Sequence, residues 1–187
     1  AELVLYAPDG ASLFAVARDG ALARVATVPD GPSVEYETHG SGRPDRAFDL
    51  ALSEDGAEVV VAFGRNELVG WDTGTGEVVR SGGRPSPRRF LRYGAQRTLV
   101  SAGRGPGTLQ VLRDVELPGP KEVPGADVRS LDLSDDGSTA AVATSDGWVI
   151  VWDVATGRPL LAPQVHPGGG RAVDLDGVGD GARILSV

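Results

Sequence analysis

Cysteine is absent from this chain of 187 residues, so it contains no disulfide and no thiolate-bound metal. Long apolar runs are absent as well: the longest, at 59–63, has about five residues, whereas a membrane-spanning helix needs roughly twenty. The N-terminal stretch AELVLYAPDG lacks the basic and apolar segments of a signal peptide. We therefore expect a cytoplasmic protein with no membrane partner.

Basic charge is scarce too, because 26 acidic residues outnumber 18 lysines and arginines and give a formal net charge of −8. A nucleic-acid-binding domain has a basic footprint, so we expect no nucleic-acid partner. The arginine-rich stretch at 80–97 is interpreted as a solvated loop, with an anion-binding loop as the alternative. Lys121 is the only lysine beside many arginines, alanines and glycines, which is typical of proteins from GC-rich bacteria.

Segments long enough for a helix and free of glycine and proline are also absent. The chain has 27 glycines and 13 prolines, and the longest stretches free of both, at 45–55 and 126–136, have eleven residues each. Helices of ordinary length rarely fit between such residues. The segments between them are short, β-branched and alternating, as in VEYE, TLQVL and VIVW. This pattern predicts an all-β protein.

A repeat is what the sequence does contain. The turn motifs APDG, SEDG, SDDG and GVGDG each follow an apolar segment and precede small or apolar residues. The aligned glycines, at positions 10, 56, 94, 137 and 181, are separated by steps of 46, 38, 43 and 44 residues. Four short strands in a repeat of this length are typical of a β-propeller blade. Trp71 and Trp152 lie 81 residues apart, which supports the same period.

The fourth repeat places the strands most clearly, at 128–133, 139–144, 148–153 and 158–162. Applied to the whole chain, the period predicts a single propeller portion at 1–187 with four complete four-stranded antiparallel blades and a partial fifth. The predicted blade boundaries are 1–40, 41–83, 84–124, 125–166 and 167–187.

Two segments resemble the WD40 repeat: SDDGSTAAVATSDGWVIVWDVATGRPL at 134–160 and, less completely, SEDGAEVVVAFGRNELVGWDTGTGEVV at 53–79. The resemblance extends over the whole chain, but only these copies contain the Trp-Asp pair. Val25 and Leu112 stand at the tryptophan position in the first and third repeats. The repeats are therefore degenerate, and a related propeller family is the alternative.

The resemblance also implies a hydrogen-bonded tetrad of His, Ser or Thr, Asp and Trp within a blade. Thr144, Asp146 and Trp152 match three of these positions in the fourth repeat, and Pro124 stands at the histidine position. The implied role of these three residues is structural. WD40 rings usually have about seven blades, and closing the ring removes exposed strand edges. We therefore expect a fragment, completed by further blades from the same or another chain.

Residues suited to catalysis or metal binding are few. His39 and His166 lie in predicted loops and form no HxH or HxxxH spacing, so a scaffold role is favoured over a metal-ligand or general-base role. The acidic pairs at 54–55 and 135–136 precede turn glycines, which favours turn hydrogen bonds over calcium or acid–base chemistry. No GxSxG or GK[ST] motif is present. We predict no catalytic, cofactor or metal site.

Partner contacts are expected on one loop face. Trp148 begins a predicted strand beside a turn, and a partly exposed tryptophan near an arginine is typical of a binding hot spot. Packing against the next blade is the alternative role for this side chain. The predicted partner-binding residues are Arg46, Asp127, Arg129, Ser145, Trp148 and Arg171.

These features favour a noncatalytic scaffold or sensor that binds a protein or peptide. The resemblance to bacterial WD40 proteins implies attachment to a signalling domain such as a kinase, a protease or a signalling NTPase. One alternative is part of an enzymatic propeller, lactonase-like or quinoprotein-like, with its active site in other blades. Another is a structural assembly element whose ring is completed by another chain.

Overall fold

A computed structural model describes residues 3–17, 19–28, 31–36, 46–64, 67–83, 88–94, 98–103, 107–112, 121–123, 127–166, 172–176 and 183–186. These residues belong to two compact units, Ala1–Arg88 and Arg89–Val187. Within the described ranges, no helix combines the length and the apolar character that crossing a bilayer requires.

Two four-stranded antiparallel sheets form the first unit. Sheet one contains β1 (Leu3–Tyr6), β2 (Ser12–Val16), β3 (Leu22–Ala26) and β4 (Ser33–Tyr36). Sheet two contains β5 (Ala47–Leu52), β6 (Glu58–Phe63), β7 (Glu67–Asp72) and β8 (Val78–Gly83). Strands that follow one another in sequence are also neighbours in each sheet, so each connection can be a hairpin.

Three sheets form the second unit. Sheet three contains β9 (Arg88–Gly94), β10 (Thr98–Gly103), β11 (Gly107–Leu112) and β12 (Lys121–Val123). Sheet four contains β13 (Val128–Leu133), β14 (Thr139–Thr144), β15 (Trp148–Asp153), β16 (Arg158–Pro159) and β17 (Gln164–Val165). Sheet five contains β18 (Val173–Asp176) and β19 (Arg183–Ser186). The all-β prediction is confirmed.

The first three strands predicted in the fourth repeat are confirmed, since β13, β14 and β15 have the predicted bounds. The last strand differs: instead of one strand at 158–162, β16 and β17 both pair with β15. The backbone N–H of Leu160 still donates to the carbonyl of Val151 at 2.9 Å. Pro163 has no N–H to donate, and it lies where the outer strand is interrupted.

The turn between the first two strands has the same construction in sheets two and four. Ser53 donates its hydroxyl to Asp55 Oδ1 at 2.6 Å, and Ser134 donates to Asp136 Oδ1 at 2.7 Å. Each serine Oγ also accepts the backbone N–H five residues later, at 2.9 and 3.0 Å. Gly137 closes the second turn with a φ of +67°, which glycine adopts without steric cost. These bonds explain the recurrence of Ser-x-Asp-Gly.

Each unit has its own core. In the first unit, Trp71 is fully buried together with Phe14 of sheet one, and its ring meets Phe63 edge-on at 6.4 Å. In the second unit, Trp152 is buried in a cluster that includes Val100 of sheet three. The two tryptophans thus pack toward the preceding sheet. Truncating a buried tryptophan to alanine typically costs about 3–5 kcal/mol.

Candidate functional site

The hairpin between β14 and β15 is held by the side chain of Thr144. Its hydroxyl lies 2.5 Å from Asp146 Oδ1 and 3.3 Å from the carbonyl oxygen of Trp148, and it accepts the Trp148 backbone N–H at 3.0 Å. Gly147 adds a backbone bond to the Thr144 carbonyl at 3.0 Å and has a φ of +93°. The start of β15 is therefore fixed relative to the end of β14.

Two neighbouring segments are tied to this hairpin. The backbone N–H of Ser145 donates to the carbonyl of Asp127 at 2.8 Å, and the N–H of His166 donates to the carbonyl of Gly147 at 2.7 Å. Asp127 directly precedes β13, and His166 directly follows β17. The entry into the sheet, its central turn and its exit therefore meet at one end. We name the residues Asp127, Arg129, Ser145 and Trp148 at this end the sheet-four rim.

Arg129 is presented by a β-bulge. The pairing of β13 with β14 shifts between Val128 and Ser130, so Arg129 has no cross-strand partner in the ladder. A bulge redirects a side chain away from the regular alternation, and Arg129 is exposed while Val128 is buried. The rim therefore carries the exposed guanidinium group of Arg129 at the bulge of β13.

Trp148 is partly buried. It packs against the cluster that contains Val100 and Ala102 of sheet three, which is the preceding sheet rather than the next one. On its other side it pairs with Val165 of β17, a residue that is 57% exposed. Trp148 therefore contributes to the core through the preceding sheet, so the predicted packing against the next blade is wrong, and its role in binding a partner stays a prediction.

The tetrad residues are only partly brought together. Thr144 contacts Asp146, but Trp152 pairs with Ala140. Ala140 lies four residues before Thr144 on β14, a distance of roughly 13 Å along the strand. The indole Nε1 of Trp152 is buried and has no hydrogen-bond partner among the described residues. Pro124 lies outside those residues.

Arg46 occupies in sheet two the position that Asp127 occupies in sheet four. Its carbonyl accepts the backbone N–H of Gly64 at 2.9 Å, just as Asp127 accepts that of Ser145. Its side chain is exposed, with the guanidinium carbon 6.0 Å from the centre of the Phe48 ring. Arg46 belongs to the first unit and the sheet-four rim to the second. The predicted residue Arg171, like His39, lies outside the described residues.

In each acidic pair, the residue that precedes glycine bonds to the turn, as predicted. Asp55 and Asp136 each accept a backbone N–H two residues later at 3.0 Å, while Glu54 and Asp135 are exposed. Across the described ranges, no group of three or more His, Asp or Glu side chains could hold a metal ion.

Two arginines have defined environments that the sequence did not predict: Arg24, and Arg80, which lies in β8 rather than in the solvated loop expected at 80–97. Arg80 donates from Nε to the buried carboxylate of Glu58 at 3.0 Å, and Arg24 donates from Nε to Ser12 Oγ at 2.9 Å. Ser12 and Glu58 each begin the second strand of their sheet and are buried. A polar residue at the first position of an otherwise apolar strand was the signal that could have indicated these pairs.

The comparisons with known proteins concern the fold. No protein-family model and no curated protein matches this sequence. The chain is similar to the solved β-propeller domain of Myceliophteria thermophila Cps50 (Swd1), with a TM-score of 0.75 and 14% identity. The similarity covers 93% of this chain and 58% of that chain, so this chain spans less than two thirds of its neighbour's length. The four-stranded sheets described above are β-propeller blades.

Proposed function

We propose that this chain is a WD40-like propeller portion that acts in the cytoplasm as a noncatalytic binding module for a protein or peptide. The observation that supports this proposal is the sheet-four rim, where Trp148 is bonded to Thr144 of the neighbouring turn and exposed Arg129 lies at the bulge of β13. Binding groups on rigid strands lose little conformational entropy when a partner docks.

The chemistry of the rim suits a peptide surface. Trp148 is a partly exposed aromatic residue, Val165 next to the rim adds exposed apolar area, and Arg129 offers hydrogen-bond donors for a carboxylate or carbonyl. Tryptophan and arginine are the residue types most enriched among binding hot spots. Attachment to a bacterial signalling domain is part of the same proposal.

A matched pair of charge reversals tests the proposal. Arg129 and Arg158 are both exposed arginines of sheet four, but Arg158 begins β16 and is not part of the rim. Peptides selected from a random display library against the chain should bind Arg129→Glu at least about 30-fold more weakly, the loss expected for a hot spot. Binding to Arg158→Glu should be unchanged. Equal binding to both variants, measured by fluorescence anisotropy, would contradict the proposal.

A second candidate function, a structural element of a larger ring, is favoured by the outer face of sheet one. Val4, Tyr6 and Val25 lie on this face and are 54%, 65% and 36% exposed. The equivalent of Val25 in sheet two is Trp71, which is fully buried against sheet one. We therefore propose that a further blade, from the same or another chain, covers the outer face of sheet one.

Sedimentation velocity tests this second candidate. An uncovered apolar face promotes association, so the chain should form larger species as its concentration rises. Val25→Glu should abolish this association, whereas Val28→Glu, at a residue that is 61% exposed beyond the end of β3, should retain it. A chain that remains monomeric throughout, or two variants that behave alike, would count against the proposal.

A further inference from the structure

Sheet one contains a cleft of about 310 Å³ on the face that it shares with Phe14. Its lining residues come from β2, β3, β4 and the segments next to them: Ala11, Ser12, Arg24, Ala26, Pro32 and Val34. The register explains why these residues share a face, because Ser12 pairs with Ala26 and Arg24 pairs with Val34. We call this feature the sheet-one cleft.

Arg24 supplies the charge of the cleft. Its Nε donates to Ser12 Oγ at 2.9 Å, and its guanidinium carbon lies 5.9 Å from the centre of the Phe14 ring. Both contacts hold the group in place, but both partners are neutral. Among the described residues, no carboxylate forms an ion pair with Arg24. The guanidinium therefore retains Nη–H donors and an unneutralised positive charge at the cleft.

In sheet two, by contrast, an arginine is paired with a carboxylate. Glu58 begins β6 as Ser12 begins β2, and its carboxylate meets the guanidinium of Arg80 at 3.0 Å. Sheet one has a hydroxyl at the position where sheet two has a carboxylate. A partly buried guanidinium gains most from an anionic partner, because the surrounding apolar atoms strengthen the attraction.

The rim of the cleft is preformed. Ala26 donates its backbone N–H to the carbonyl of Pro32 at 3.3 Å, and Gly31 donates to the carbonyl of Val28 at 3.2 Å. A side chain at Gly31 would place its Cβ 2.3 Å from Ala26 Cβ, so glycine is what permits this close approach. The apolar wall of Ala26, Pro32 and Val34 is therefore present before any ligand arrives.

We propose that the sheet-one cleft binds the carboxylate side chain of an extended acidic peptide segment. One guanidinium beside one neutral hydroxyl matches a single negative charge, which favours a carboxylate over a phosphate dianion. The apolar wall accepts the aliphatic neighbours of that residue. Among the described strands, β4 ends the order of sheet one, so an extended segment can run alongside it.

An NMR titration of the ¹⁵N-labelled chain tests this proposal with defined probes. N-acetyl-Val-Glu-Val-amide should shift the amide signals of Ser12, Arg24 and Val34, while N-acetyl-Val-Gln-Val-amide should shift them far less. Equal shifts with the glutamine probe, or no shifts in the cleft, would overturn the proposal. Tighter binding of the phosphoserine analogue would contradict the choice of a carboxylate over a phosphate. Equal binding of acetate would contradict the proposal that the ligand is a peptide segment.

Two pairs of variants complete the experiment. Arg24→Gln should weaken binding of the glutamate probe by about tenfold or more, and Arg24→Lys should retain part of it, since charge is the main contribution. Val34 is 49% exposed and pairs with Arg24, so Val34→Glu supplies a carboxylate within the chain and should block the probe. Val34→Gln is its neutral control and should still bind.

The test of the sheet-one cleft is independent of the test of the sheet-four rim. Arg129→Glu lies in another sheet and should leave the glutamate-probe shifts in sheet one unchanged. Undiminished probe binding by both Arg24→Gln and Val34→Glu would overturn the assignment to this cleft, whatever the rim variants show.

Discussion

The carboxylate of Glu58 reaches Nε of Arg80 at 3.0 Å by crossing the position of Gly70. Gly70 pairs with Val60 on one side and with Arg80 on the other, so it lies between the strands that carry the two charges. A Cβ at Gly70 would stand 2.8 Å from Glu58 Oε1 and 3.1 Å from Arg80 Cβ. The absence of a side chain at Gly70 is what allows the ion pair to span three strands.

Gly70→Ala should therefore destabilise the first unit. The new methyl group contacts Glu58, Arg80 and Val60 at once, and because Glu58 is only 2% exposed its carboxylate has little room to move. Overpacking of this kind costs about 1–3 kcal/mol. The free energy of unfolding in urea is the measurement.

Gly74→Ala is the matched control for Gly70→Ala. Gly74 is exposed in the turn after β7, and its nearest potential contact is Asp72 Oδ1 at 3.4 Å. We expect a change within about 0.5 kcal/mol. Similar losses in the two variants would contradict a specific cost of the methyl group beside the Glu58 carboxylate, because replacing glycine by alanine otherwise lowers the entropy of the unfolded chain and favours folding.

The strands and turns were predictable because their causes are local. The alternation in VRSLDL, TAAVAT and WVIVWD defines β13, β14 and β15, and Ser-x-Asp-Gly closes its own turn. The outer strand was predicted less well, because its pairing depends on which N–H groups Pro159 and Pro163 leave available. The crossing of Glu58 over Gly70 depends on the register of three strands, which sequence spacing does not specify.

Asp132 joins sheets four and five. Its Oδ2 accepts the backbone N–H of Leu175 at 2.8 Å, and its Oδ1 lies 3.7 Å from Arg92 Nε of sheet three. A hydrogen bond to a charged group contributes about 1.5–3 kcal/mol. Asp132→Ala should therefore lower the protection of the Leu175 amide against hydrogen exchange by about tenfold or more, the equivalent of that energy.

Arg92→Gln provides the control for Asp132→Ala. The arginine side chain is 41% exposed, and its distance to Asp132 is longer than a hydrogen bond. Its loss should change Leu175 exchange by less than about threefold, as expected for an exposed ion pair. Unchanged protection in Asp132→Ala would mean that sheet five is held by apolar packing alone.

Trp152 and Thr144 give a test of the tetrad. Because Trp152 Nε1 has no partner among the described residues, Trp152→Phe removes an unsatisfied N–H and should change the unfolding free energy by less than about 1.5 kcal/mol. Thr144→Val removes the bonds to Asp146 and to the Trp148 N–H and should cost about 1–3 kcal/mol. A large loss for both variants, with strong non-additivity in the double variant, would show that Trp152 and Thr144 are energetically coupled, as the tetrad implies.

The candidate sites illustrate the same division between local and distant causes. The turn next to Trp148 was predictable, because Thr144, Asp146 and Gly147 lie within four residues. The exposure of Arg129 depends on a bulge that no motif marks. The sheet-one cleft was not predicted because Arg24 and Ser12 are twelve residues apart and are brought together only by the register of β2 and β3.

Asp136 should make stability depend on acid pH. The backbone N–H of Ser138 and the hydroxyls of Ser134 and Ser138 donate to its carboxylate and lower its pKa below the ordinary value. A lowered pKa in the folded state means that the stabilisation is complete above the unfolded pKa, about 3.9, and is lost as the pH falls through the folded value. Relative to Asp136→Asn, the wild-type chain should therefore lose stability only below about pH 4.

Urea midpoints between about pH 2 and pH 7 provide the measurement of this pH dependence. The control is Asp135→Asn, at an exposed neighbour that makes none of these three contacts. A difference between wild type and Asp136→Asn that stays constant over this range would contradict the prediction, because the carboxylate would then contribute without titrating.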